Sequence, residues 1–158
     1  MSLLLFEEMK SYVGFTDEDA DRLQSLGERV TGELEGIVRE FYDRIDDTPA
    51  ARAVVQAHSS RKKLERTLVQ WMREFFTPPY DLAYYERRAR IGHVHVRIGL
   101  PPHFVFTAMN VLRLGLLKFT ESHEHPPVHK LMDIELAIIN QVYWEAISDN
   151  MRRVERMA

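Results

Sequence analysis

The residue best placed to do chemistry is a histidine, His95, in the run Arg90-Ile91-Gly92-His93-Val94-His95-Val96-Arg97-Ile98-Gly99-Leu100-Pro101-Pro102. The run reads as the end of a helix, stopped by Gly99 and the two prolines. At three- and four-residue spacing the helical neighbours of His95 are Ile91, Gly92, Ile98 and Gly99. That face is apolar, and two of its positions carry no side chain. An imidazole rising from a shallow, dry surface suits a large flat ligand such as a haem, whose iron needs a neutral nitrogen and little bulk around it. The same spacing also fits a packed core histidine with both nitrogens hydrogen-bonded. His93 makes the contrast: its neighbours Ala89, Arg90, Val96 and Arg97 form a half-charged face that meets water.

A flat ligand held from one side needs a pocket on the other. Tyr42 sits at the edge of a helical stripe of Leu34, Val38, Phe41 and Ile45. A tyrosine hydroxyl in a dry pocket needs a hydrogen-bond partner, and a diatomic ligand carrying partial negative charge is one. The alternative is a hydroxyl that reaches water. Thr67 lies among Leu64, Leu68 and Trp71, and its hydroxyl either serves the pocket or bonds the carbonyl of Lys63 one turn back. Leu64 and Leu68 read as steric walls or as plain core.

A second histidine-rich stretch, His123-Glu124-His125-Pro126-Pro127-Val128-His129, offers ligand types suited to zinc or nickel. Its prolines read as a loop, where solvated histidines are the ordinary outcome. A metal site there also needs three converging ligands and partners that orient them.

Composition narrows the classes. The 158 residues suffice for one domain with a real core, and 45% hydrophobic with 28% charged residues is ordinary for a globular chain. A net charge of -3 gives no nucleic-acid footprint. The short basic clusters Arg61-Lys62-Lys63 and Arg87-Arg88 read as solvated helix faces. With no cysteine, disulfides, thiolate catalysis, Fe–S clusters, c-type haem attachment and a thiolate haem ligand are all excluded. No apolar run reaches spanning length, so no membrane contact is expected. The start is too short and too soon acidic for a signal peptide, so a cytoplasmic location is expected.

The elements that must position these side chains are helical nearly throughout. The periodicity predicts a weakly defined leader over 1–13, then a helix starting at Thr16-Asp17-Glu18-Asp19. That helix runs to about residue 45, with a break near Gly27 or Gly32. Further helices are expected over 49–57, 59–76, 81–98, 102–122 and from 127 to the C-terminus. No strand alternation, repeat or low-complexity segment is visible, and the fold class is all-α. The last two helices are apolar on more than one side. One set is Val105, Met109, Leu112 and Leu116 with Leu131, Ile134, Ile138 and Val142; the other includes Leu114 and Leu117 with Ile139, Tyr143, Ile147 and Met151. Such helices must bury more than one side. The spare stripes favour a homodimer through 102–122 and 127–158, as a four-helix bundle, over a monomer with both helices central. The final helix stops without a C-cap glycine or proline, which reads as a helix cut from a longer protein.

Taken together, these residues resemble the sensor domain of the globin-coupled sensors, bacterial haem sensors related to protoglobins. The resemblance covers nearly the whole chain. It is carried by Tyr12-Val13-Gly14-Phe15-Thr16-Asp17-Glu18-Asp19, Phe41-Tyr42-Asp43, Leu64-Glu65-Arg66-Thr67-Leu68 and, most specifically, Ile91 through Pro102. It implies a globin-like three-over-three helical sandwich over 16–158, after a leader over 1–15. It implies one haem b (iron protoporphyrin IX), with His95 as the proximal metal ligand, Tyr42 as the distal tyrosine, and Leu64 and Thr67 as the distal leucine and threonine. With the readings above, the candidate cofactor-binding residues are Tyr42, Leu64, Thr67, Leu68, Trp71, Ile91, Gly92 and Ile98. The resemblance further implies binding of dioxygen or another diatomic gas (CO, NO, or cyanide in vitro), a dimer through the last two helices, and control of an attached output: a histidine kinase, diguanylate cyclase or chemotaxis transducer. The chain itself is then no enzyme, and no second acid–base residue on the distal side argues for dioxygenase or peroxidase-like chemistry. A stand-alone gas-binding globin and a non-haem helical dimerisation module are the alternatives. One departure stands out: Phe104-Val105 occupies the place of a Trp-Tyr pair common in the family, so a tyrosine hydroxyl near the proximal histidine is expected to be missing.

Overall fold

The computed structural model describes residues 2–157, and the described residues form eight α-helices with no strand. Helix α1 (Ser2–Val13) lies where a weakly defined leader was expected. It is fixed by Phe6, which is wholly buried and packs its ring on Tyr84 and Tyr85. One aromatic anchor in a short helix leaves little periodicity to read. Helix α2 (Asp17–Val30) starts as the acids at 17–19 indicate, with the Asp19 carboxylate accepting the Thr16 N–H at 3.0 Å. The expected break falls at Gly32, in a 3-10 turn over Thr31–Glu33. Gly27 stays inside α2 for another reason: a Cβ there would stand 2.5 Å from the Phe76 Cβ.

Helix α3 (Leu34–Asp46) carries Tyr42, and α4 (Pro49–His58) begins on the proline that suits a first turn. Helix α5 (Arg61–Phe75) carries Leu64, Thr67, Leu68 and Trp71, and α6 (Leu82–Arg97) carries His95. Helix α7 (Pro102–Leu117) is shorter than expected. Its last amides tighten, with the N–H groups of Phe119 and Thr120 donating to carbonyls three residues back, and Glu121 then opens the next cap. A 3-10 turn over Ser122–Glu124 leads into α8 (His125–Met157). The prolines at 126 and 127 therefore sit in the first turn of α8, where the missing N–H groups have no intrahelical role. This corrects the loop reading of the histidine-rich stretch.

Two helix groups result. Helix α3 packs on α4, α5 and α7, while α8 packs on α6, α7, α2 and α1. The buried stripes of α7 and α8 are the first set named above, Met109, Leu112 and Leu116 with Leu131, Ile134, Ile138 and Val142. In the second set, Ile139 and Tyr143 are buried, while Leu114, Ile147 and Met151 stand open, beside exposed Trp144 and Val154. No described helix is long and apolar enough to cross a membrane.

Candidate functional site

His95 belongs to the last turn of α6, and the backbone after it is fully bonded. Gly99 adopts a positive φ of 73°, a conformation that a Cβ would disfavour. Its N–H donates to the Val96 carbonyl, and the Leu100 N–H donates to the His95 carbonyl, each at 3.0 Å. This paired arrangement closes the helix and fixes the His95 backbone. The imidazole is treated differently. Its Nδ1 is buried with no hydrogen-bond partner, and burial holds its pKa below the ordinary histidine value. A satisfied core histidine has both nitrogens engaged, whereas this one is neutral with a free buried nitrogen. That state suits a metal ligand.

The surroundings of His95 are apolar. Ile91 and Ile98 are half-buried, and Gly92 is buried against α8, where a Cβ would meet the Val142 side chain at 3.3 Å. The bare Gly92 thus serves the close approach of α6 to α8. Beneath the corner, Val105, Ile139 and Tyr143 form a small cluster with Val96 and Leu100. The Tyr143 hydroxyl donates to the Leu100 carbonyl at 2.6 Å. This corrects the expectation that a tyrosine hydroxyl is missing near His95: one reaches the corner after it, from α8 rather than from the Phe104-Val105 position on α7.

On α3, Tyr42 is buried, with its ring edge-on to Phe41 at 5.0 Å. Burial pushes its phenol up to about 12, so it remains a proton donor at neutral pH. Leu64 and Leu68 pack half-buried on the same core as Tyr42, Trp71 and Ile91. Thr67 is exposed, and its hydroxyl donates to the Lys63 carbonyl at 3.0 Å, the local bond that mid-helix threonines usually make. Arg61 pins α5 to α3 by bonds to Asp43 at 2.7 Å and Asp46 at 2.6 Å, and bonds Glu65 one turn along α5 at 2.8 Å. Lys62 and Lys63 are exposed, as a solvated basic face requires, while Arg61 is half-buried in these ion pairs.

A comparison with protein families matches residues 4–148 to the family described as Protoglobin. The chain belongs to the protoglobin family. Among solved structures it is similar to the globin domain of a Geobacter sulfurreducens globin-coupled sensor. The identity there is 33% and the TM-score 0.81, over 87% of this chain and 96% of that one. It is also similar in fold to the ferric globin domain of E. coli DosC, at 18% identity and a TM-score of 0.69, over 87% and 99% of the two chains. The all-helical architecture is thus a globin fold, of the globin-coupled-sensor type, and the family implies haem binding.

Within this protoglobin-family frame, one feature escaped sequence reasoning. Arg88, taken as part of a solvated basic cluster, is 1% exposed and sits between α5, α6 and α8. The signal that could have found it is its spacing: four residues after Tyr84 and seven before His95, on one helix face. The histidine-rich stretch, by contrast, gathers nothing. Among the described residues no group of three His, Cys, Asp or Glu side chains is placed to hold a metal ion. Two surface clefts lie away from His95, one beside Gly27 and Phe76, the other beside Phe15 and Tyr80.

Proposed function

We propose that this chain is a haem-based gas-sensor domain that controls an attached signalling output, with His95 as the iron ligand. The observation that carries the reading is the His95 imidazole at a fully bonded helix end, half-buried and held neutral, with its buried Nδ1 lacking any hydrogen-bond partner. A haem b held by His95 would supply an iron able to take dioxygen, or CO, NO or cyanide. Tyr42 holds its proton in a dry environment and donates a hydrogen bond on the distal side. Leu64, Leu68 and Trp71 exclude water and limit the size of what enters, with Thr67 at the edge. Ile91, Gly92 and Ile98 keep the proximal side low and apolar.

The output reading adds a homodimer through 102–122 and 127–158. Exposed Leu114, Trp144, Ile147 and Met151 support it, since stripes of this size are uncommon on monomers. Two packings of that bundle, biased by the occupied or empty pocket, pass the signal on; the bias equals the difference in affinity between them. A cytoplasmic location follows from this reading.

The test is an absorption spectrum of the purified protein after haem loading, reduced and then exposed to dioxygen and to carbon monoxide. Reversible, gas-dependent shifts of a Soret band are expected. A protein that stays colourless with ample haem contradicts the proposal and returns the chain to a non-haem helical module.

A further inference from the structure

We propose that Arg88 is a positioning residue for His95, tying the distal wall on α5 to the proximal helix α6 and to α8. The inference rests on the reading of His95 as the haem ligand.

Arg88 lies two helical turns before His95 on the same face of α6. Its guanidinium is buried and spends its donors in three directions. Nε donates to Glu135 Oε1 on α8 at 2.8 Å, one terminal nitrogen donates to the Trp71 carbonyl on α5 at 2.8 Å, and the other reaches Glu74 Oε2 at 3.4 Å. The same group lies over the rings of Trp71 and Tyr84, at 4.5 and 4.8 Å. The Tyr84 hydroxyl donates to the Glu135 oxygen that Arg88 holds, while the second oxygen of Glu135 is buried without a partner.

Stability alone does not explain this arrangement. A buried ion pair loses much of its attraction to desolvation, and apolar residues of the same volume often hold helices together as well or better. An unsatisfied carboxylate oxygen adds to the cost. What the pair provides is a fixed relation among three helices. The backbones of α5 and α6 seldom come close, and the fork of Arg88 joins the two helices through the Trp71 carbonyl and Glu74. Its α5 partner, Trp71, stands one turn after Thr67 on the candidate distal wall. Its α8 partner, Glu135, precedes Val142, where Gly92 lets α6 and α8 meet. A movement of α5 when the pocket fills therefore pulls on Arg88, and through it on the α6 turns that end at His95 and on the helix that carries the exposed stripe.

Arginine is specific here. A lysine at 88 keeps the charge but lacks a planar fork able to hold a carboxylate and a carbonyl together.

The experiment compares wild type, the double variant Arg88→Met/Glu135→Leu, and Arg88→Lys. The apolar pair removes the link while filling the space, so folding and haem stoichiometry are expected to hold. Three readouts follow: the iron–histidine stretching band of the ferrous protein, the gas-release rate, and amide hydrogen exchange at Leu100 in the haem-free protein. The account expects a shifted band, release changed by about 3- to 30-fold, and faster Leu100 exchange. In Arg88→Lys the same changes are expected in the same direction. A folded, haem-loaded double variant with wild-type band, rate and exchange overturns the inference. If the double variant does not fold, wild-type values in Arg88→Lys overturn it instead. A wild-type protein that takes up no haem overturns the haem reading and this inference with it, so the two failures are distinguishable.

Discussion

Tyr143 on α8 donates its hydroxyl to the Leu100 carbonyl at 2.6 Å, and the Leu100 N–H donates to the His95 carbonyl at 3.0 Å. Two bonds thus join the long C-terminal helix to the backbone of the candidate iron ligand. Tyr143→Phe removes the first and leaves the second. The expected loss is about 1 kcal/mol, a melting temperature lower by about 2–4 °C, with faster hydrogen exchange at Leu100. Calorimetry and exchange measurements check both, and unchanged exchange at Leu100 contradicts the latch.

Tyr42→Phe removes the buried hydroxyl that the proposed function places on the distal side. Dioxygen release from the haem-loaded variant is expected to speed up on the order of tenfold, the loss of one hydrogen bond to a partly charged acceptor. Stopped-flow release rates check it. Equal rates in variant and wild type mean that another group, or none, donates there.

Glu124 accepts two bonds from Arg29, at 2.6 and 2.8 Å, and its pKa is lowered chiefly by that contact. A carboxylate lowered in the folded state adds stability above its unfolded pKa, and that stability is lost as pH falls through the folded value. The wild type is therefore expected to lose more stability below about pH 4.5 than Glu124→Gln does. Thermal melts from neutral to acid pH show it, as curves that converge at the acid end. Parallel curves contradict it.

Ile147 is half exposed on a stripe with Trp144, Met151 and Val154. In the proposed homodimer it is buried against its copy, so Ile147→Glu places two like charges at a symmetric contact. Sedimentation analysis is expected to find a dimer for wild type and a monomer for the variant, with haem uptake retained. A wild-type monomer contradicts the dimer.

Much of this arrangement is legible in the sequence, for physical reasons that differ by element. The ends of α6 and α2 are written in local chemistry, Gly99 with two prolines and Thr16 with three acids, and both lie where expected. His95 is visible because its neighbours at helical spacing are apolar or bare. Arg88 is not, because a basic pair on a helix reads as solvated until a distant Glu135 is known to face it. The packing of α1 depends on Phe6 meeting Tyr84 and Tyr85, far away in sequence. The role of Tyr143 is hidden in the same way, since its partner is a backbone carbonyl.

If His95 holds the iron, its removal must change the haem spectrum. The most direct measurement is the haem absorption spectrum of wild type against His95→Ala, with His93→Ala as the control on the charged face. A Soret band that shifts with gas is expected in wild type and in His93→Ala, and is expected to be lost or strongly altered in His95→Ala. A His95→Ala protein with the wild-type spectrum contradicts it.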